Sequence, residues 1–195
     1  MKPSPAYSAL TVPNLITVLR LVLVPFVVYA LLTGLWGWAF AGFLVAGISD
    51  GVDGFIARHF NQFSKLGAYL DPVADKVLLV SVFIVLGFLG QLPLWVVILA
   101  VSRDALIVSA VLLSTIMGQP VEMKPLMVSK VNTAAQIVLA TLILGENALG
   151  VDLGVGRVAL IYLSGLLTVA SAAAYLVAWL RHMSAYGEDK APDGN

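Results

Sequence analysis

Apolar runs of about 20 residues recur along the chain, and each is closed by a short stretch rich in glycine, proline or polar side chains. The pattern predicts six helices, at about Pro13–Leu32, Trp38–Phe60, Leu66–Gly90, Leu94–Met117, Met127–Leu144 and Val158–Leu180. Pro13 suits a helix start, where its missing N–H would have no partner in any case. Two connections, Thr33 to Gly37 and Gly90-Gln91-Leu92-Pro93, carry no charge, as tight turns between apolar spans require. Residues 1–11 read as no more than a short interfacial segment. From Arg181 onward the sequence turns polar, with glycine, proline and acidic residues, and reads as a disordered tail. The expected fold is an all-α integral membrane protein, six transmembrane helices in one bundle around a polar cavity open to the cytosol. The transmembrane domain covers residues 1–187 and the tail 188–195.

Composition supports this class and excludes others. The chain is 60% hydrophobic and only 11% charged, well below the quarter or so typical of soluble domains. Its formal net charge is zero, so nothing points to nucleic acid as a partner. There is no cysteine, which removes disulfides and thiolate metal sites from consideration. No small-residue cleavage pattern interrupts the first apolar run, which therefore reads as a retained helix rather than a signal peptide. With six spans, Lys2, Arg58, Lys65, Lys124, Arg181 and Lys190 fall on one side and only Arg157 on the other. The positive-inside rule then puts the termini in the cytoplasm, for a multi-pass protein of a bacterial inner membrane.

Against this apolar background four carboxylates need a reason. An aspartate at the centre of a membrane helix costs roughly 2.5 to 3.5 kcal/mol on insertion scales. Asp50 and Asp53 are three apart, and Asp71 and Asp75 four apart, so on helices each pair projects from one face. Left uncompensated, they would resist ionising together. One or two hard divalent cations, which take oxygen ligands, would cancel that repulsion. A structural ion-pair network or a cation-transport path is the competing reading.

Written out, the stretch is Asp50-x-x-Asp53-Gly54-x-x-Ala57-Arg58, eight residues, then Gly67-x-x-x-Asp71-x-x-x-Asp75. It resembles the signature of the CDP-alcohol phosphotransferases, membrane enzymes of phospholipid synthesis, with no departure at any defining position. The resemblance implies transfer of a phosphatidyl group from CDP-diacylglycerol to an alcohol, with release of CMP. It assigns Asp50, Asp53 and Asp71, with Asp75 in a second role, as ligands of two divalent ions, Mg²⁺ or Mn²⁺, and Asp75 as the general base. It assigns the CDP moiety to Asp50, Gly54, Ala57, Arg58 and Gly67, and it implies a homodimer among membrane lipids. The chemistry suits these residue types: pyrophosphate oxygens need neutralising, the alcohol needs in-line placement, and its proton needs a base.

The acceptor is written elsewhere in the chain. Pro13-Asn14-Leu15-Ile16-Thr17-Val18-Leu19-Arg20 looks like the first-helix motif of the branch that uses glycerol-type acceptors. Asn14, Thr17 and Arg20 recur at threefold spacing, and Arg103, Lys130 and Asn132 are the other candidates for binding the acceptor or its phosphate. Arg103 and Asp104 are neighbours in sequence and do not share a helix face, so each is expected to find another partner. The region after Arg103-Asp104 is apolar, and Lys130-Val131-Asn132-Thr133 has asparagine where glycerophosphate-using relatives tend to have a second lysine. Fewer cations disfavour a small dianion. The pattern is more similar to cardiolipin synthases, which use phosphatidylglycerol, with the phosphatidylglycerophosphate synthases, which use glycerol 3-phosphate, as the alternative.

Overall fold

The computed structural model describes residues 12–60, 65–116 and 126–188, with side chains described outside 12–17, 50–73, 75 and 182–188. Six helices follow one another: α1 Val12–Leu32, α2 Trp36–Phe60, α3 Lys65–Phe88, α4 Leu94–Ile116, α5 Met127–Leu149 and α6 Val155–Glu188. Among the described residues α4, α5 and residues Val155–Arg181 of α6 are each long and apolar enough to cross a membrane. The interfacial segment expected at 1–11 and the charged connection around Lys124 lie outside the described residues.

Three helices end by the same device. Gly34, Gly90 and Gly150 have φ of 74°, 72° and 67°, the left-handed region that glycine enters without a Cβ clash. Leu35 N–H then donates to the Ala30 carbonyl at 2.8 Å, Gln91 N–H to Leu86 at 2.8 Å and Val151 N–H to Glu146 at 3.2 Å. These reach-back bonds of the Schellman turn satisfy carbonyls that a helix end otherwise leaves open.

The helices group into two compact units, one of residues 1–92 with 140–153 and one of 93–139 with 154–195. The first half of α5 belongs to the second unit and its second half to the first. In the first unit α1 packs against α2 and α3. Val24, Val27 and Leu31 of α1, Ala39, Phe43 and Ala46 of α2, and Leu78, Val82, Phe83 and Leu86 of α3 are buried, at the three- and four-residue spacing of helix faces. Lipid is as apolar as these side chains, so close packing rather than water exclusion holds such faces together. Gly42 makes that approach possible, since a Cβ there would lie 2.9 Å from Val27 Cγ2. In the second unit α4 packs against α6. Gly165 lies under the Trp95 ring, which tilts at 36° against Tyr162 with centroids 5.7 Å apart.

Two helix ends differ from expectation by more than a turn. α5 continues to Leu149 rather than stopping near Leu144, because Gly145 fits against Phe40 and Asn147 is held within the helix. The Asn147 amide donates to the Ile143 carbonyl at 2.8 Å and to Gln91 Oε1 at 3.2 Å. α6 runs through Glu188, so the polar stretch from Arg181, expected as a disordered tail, is helical that far. Polar composition marks the end of an apolar run, but the first proline after it is Pro192, and no proline interrupts the helix before then.

Candidate functional site

The carboxylate motif occupies the last turns of α2 and the first turns of α3. The backbone is helical through 50–60 and 65–75, so Asp50 and Asp53 stand about one turn apart on α2, and Asp71 and Asp75 about one turn apart on α3. The side chains of Asp50, Asp53, Gly54, Ala57, Arg58, Gly67, Asp71 and Asp75 lie outside the described residues, as do those of Asn14 and Thr17. Among the described residues no group of three or more histidine, cysteine, aspartate or glutamate side chains could hold a metal ion. As a donor set, four carboxylates on two helices fit hard divalent cations, which prefer oxygen. Arg20, of the same unit, is 1% exposed and is the largest fully buried side chain among those described.

In the second unit the structure organises a charged cluster around Arg103, which is 3% exposed. Its Nη1 donates to Asp104 Oδ1 at 2.7 Å. Nε and Nη2 both reach Ser171 Oγ, at 3.1 and 2.8 Å, and Nη2 also donates to Ser129 Oγ. The guanidinium carbon sits 5.5 Å from the centroid of the Tyr175 ring, within range of a cation–π attraction. One side chain of α4 thereby ties α5 and α6 together. The pairing of Arg103 with Asp104 corrects the expectation that sequence neighbours must each look elsewhere. Their backbone positions do face apart, but the long arginine stem folds back far enough for its planar head to meet the carboxylate.

Beside this cluster runs a neutral seam. Ser129, Asn132 and Gln136 follow at three- and four-residue steps on α5, and Ser164, Thr168, Ser171 and Tyr175 on α6. Asn132 is fully buried, and Gln136, Ser164, Thr168 and Ser171 are nearly or fully so. Thr168 Oγ1 lies 2.8 Å from both Asn132 Oδ1 and the Ser164 carbonyl, and accepts from Gln136 Nε2 at 3.3 Å. A hydroxyl has one proton, so Thr168 serves only one of its two acceptors at a time. Asn132 Nδ2 and Ser164 Oγ find no hydrogen-bond partner among the described residues. Further along, Trp179 Nε1 donates to Ser114 Oγ at 3.0 Å, and that hydroxyl donates to the Ala110 carbonyl at 2.8 Å.

Of the acceptor candidates in this unit, Arg103 and Asn132 are buried and bonded to neighbouring helices. Lys130 is exposed in the first turn of α5, where its backbone N–H and that of Ser129 both donate to Leu126. Sequence reasoning passed over Ser171, Thr168 and Tyr175. The usable signal was the polar spacing 164, 168, 171 along an otherwise apolar helix, matched by 129, 132, 136 on α5.

A family model for CDP-alcohol phosphatidyltransferases matches residues 10–181. The chain belongs to that family. It is 36% identical over 182 residues, 86% of its length, to a Schizosaccharomyces pombe protein named cardiolipin synthase (CMP-forming) / mitochondrial hydrolase fusion protein. It is 36% identical over 145 residues, 66% of its length, to the cardiolipin synthase (CMP-forming) of Rattus norvegicus. A Mycobacterium tuberculosis relative named "Probable phosphatidylglycerophosphate synthase" is 40% identical over 99 residues, 47% of this chain. The matched regions span 31%, 48% and 46% of those relatives' own lengths. Within the family the Asp50–Asp75 motif and the Arg103 cluster fall in different units of this chain.

Proposed function

We propose that the chain catalyses phosphatidyl transfer from CDP-diacylglycerol to phosphatidylglycerol, releasing CMP, as a cardiolipin synthase. The observation that carries this reading is the intact carboxylate motif inside a family match covering residues 10–181. The names of the yeast and rat relatives support the acceptor. The Mycobacterium relative favours the second reading, phosphatidylglycerophosphate synthesis with glycerol 3-phosphate as acceptor. A divalent-cation transporter is a remote third, since transport has no use for the small residues Gly54, Ala57 and Gly67 between the carboxylates.

In this reading Asp50, Asp53, Asp71 and Asp75 hold two divalent ions, Mg²⁺ or Mn²⁺, whose chemistry is to neutralise the diphosphate and the leaving oxygen. Gly54, Ala57 and Gly67 let the cytidine lie close to the helix backbone, and Asp50 and Arg58 bind the CDP group, Arg58 as a charge-assisted donor. Asp75 takes the proton of the acceptor hydroxyl as its oxygen attacks the phosphorus that bears the diacylglycerol. The new P–O bond forms, the bond to the CMP oxygen breaks, and CMP leaves with the electron pair. Asn14, Thr17 and Arg20 on α1, and Arg103, Lys130 and Asn132 in the second unit, serve the acceptor, with Lys130 supplying an accessible positive charge for its phosphate. The enzyme works as a homodimer of six-span subunits. The termini and the polar cavity face the cytosol of a bacterial inner membrane, with 1–187 as the transmembrane domain.

The test offers purified protein CDP-diacylglycerol with phosphatidylglycerol or glycerol 3-phosphate in separate reactions and identifies the lipid formed. Cardiolipin and CMP are expected from the first. Phosphatidylglycerophosphate as the sole product would reverse the choice of acceptor. EDTA should silence the reaction and Mg²⁺ or Mn²⁺ restore it; turnover that ignores the chelator would reject the metal assignment.

A further inference from the structure

A guanidinium has five N–H donors in a rigid plane, and at Arg103 most of them are committed to the protein. Nε, Nη1 and both Nη2 protons go to Ser171, Asp104 and Ser129. The Tyr175 ring lies against the group, and the side chain is 3% exposed. A cation so enclosed, with a carboxylate 2.7 Å away, is poorly placed to meet a lipid phosphate. What it does reach is the first turn of α5. Ser129, whose hydroxyl accepts from Nη2, directly precedes Lys130, and the backbone N–H groups of both residues donate to the same Leu126 carbonyl. Lys130 itself is exposed. An ammonium on a four-carbon stem is a mobile point charge, so where it can act depends on how firmly that turn is held.

We propose that Arg103 is a positioning residue: it bolts the first turn of α5 to α4 and α6, and through Ser129 it fixes where Lys130 presents its charge to the phosphodiester of the acceptor. The inference rests on the reading above that Lys130 binds the acceptor's phosphate. Arg103 does not touch the acceptor. Ser171 is the fixed end of the bolt, taking two of the guanidinium's protons at once, and Ser129 is the end that moves when the bolt is cut. A displacement of about 1 Å in a binding group is enough to weaken its contact with the ligand. Loosening one serine contact should therefore register in acceptor kinetics even though the variant folds.

The experiment measures CMP release in mixed micelles, varying the mole fraction of acceptor and of CDP-diacylglycerol in turn, for Ser129→Ala, Arg103→Lys, the double variant and Lys130→Ala. Lys130→Ala should raise the acceptor KM by about tenfold. Ser129→Ala should raise it several-fold, with kcat and the donor KM within about twofold of the parent. Arg103→Lys should raise it further, and adding Ser129→Ala to Arg103→Lys should change nothing more, because the serine acts through the arginine. Two results overturn the inference alone. In one, Lys130→Ala and Arg103→Lys raise the acceptor KM while Ser129→Ala does not, which makes Arg103 a direct ligand. In the other, Ser129→Ala lowers the unfolding temperature with acceptor KM unchanged, which makes the cluster merely structural. An unchanged acceptor KM in Lys130→Ala overturns the reading beneath it. Ser129→Ala keeps the test decisive if Arg103→Lys fails to fold.

Discussion

Each of the two units is packed internally in its own way. In the first, the described core of α1, α2 and α3 is aliphatic and aromatic, with Gly42 allowing close approach and Arg20 the one buried charged or polar side chain among those described. In the second, α4, α6 and the first half of α5 meet over Arg103, Asn132, Gln136, Ser164, Thr168 and Ser171. Apolar packing in lipid depends on shape alone and so tolerates little added volume. A polar seam depends on matching donors with acceptors, and interhelical hydrogen bonds in membranes are worth only about 0.6 kcal/mol each on average. The first kind of interface should therefore fail by overpacking and the second by loss of a charge or of a match. The division also parallels the proposed chemistry in part, with the carboxylates and Arg20 in the shape-packed unit and Arg103 and Lys130 in the polar one.

The largest effect tests that last parallel. Asp75→Asn should lower kcat by about a thousandfold or more, with CDP-diacylglycerol still bound in the presence of metal. Wild-type turnover in that variant would remove the base from the first unit. Next, Arg103→Met should destabilise the second unit by about 3 kcal/mol in reversible detergent unfolding, because it withdraws the guanidinium from a largely buried carboxylate and two serines. A loss no larger than a single neutral hydrogen bond would show that the seam does not depend on its charge. In the first unit Gly42→Ala should cost about 1 to 2 kcal/mol: the new methyl meets Val27, which is β-branched and fully buried, and this outweighs the gain of about 1 kcal/mol in helix propensity. A rise in unfolding temperature would mean that shape is not what limits this interface. The smallest effect has the opposite sign. Ser164→Ala should stabilise by about 1 kcal/mol, since it removes a buried hydroxyl with no hydrogen-bond partner among the described residues. Destabilisation instead would show the hydroxyl to be matched.

Much of the fold was legible because an apolar run of membrane length leaves the backbone few options but a helix. Six helices were expected and six are found among the described residues, with two starts matched and the other four displaced by one to three residues. Their ends were harder. Glycine at 34 and 90 marked real stops, but Gly145 and the polar residues after Arg181 did not, since whether a helix continues depends on what it packs against, as Gly145 does against Phe40. The carboxylate motif was legible as spacing along single helices, a local property. The seam between α5 and α6 was not, because it exists only in the register of two antiparallel helices; each polar residue alone reads as an isolated exception to an apolar run. The Arg103–Asp104 pair was misread for a related reason. Helix-face arguments locate Cβ atoms, and an arginine head can lie far from its own.

The glycine-capped turns after α1, α3 and α5 have a consequence for the surrounding lipid. In the proposed six-span topology these three connections share the non-cytoplasmic side, and each returns hydrogen bonds to its own helix-end carbonyls. Such ends depend less on ammonium or glycerol headgroups for partners. The outer face of the protein should then be largely indifferent to which phospholipid class borders it, an advantage under the proposed function, whose product would change that composition.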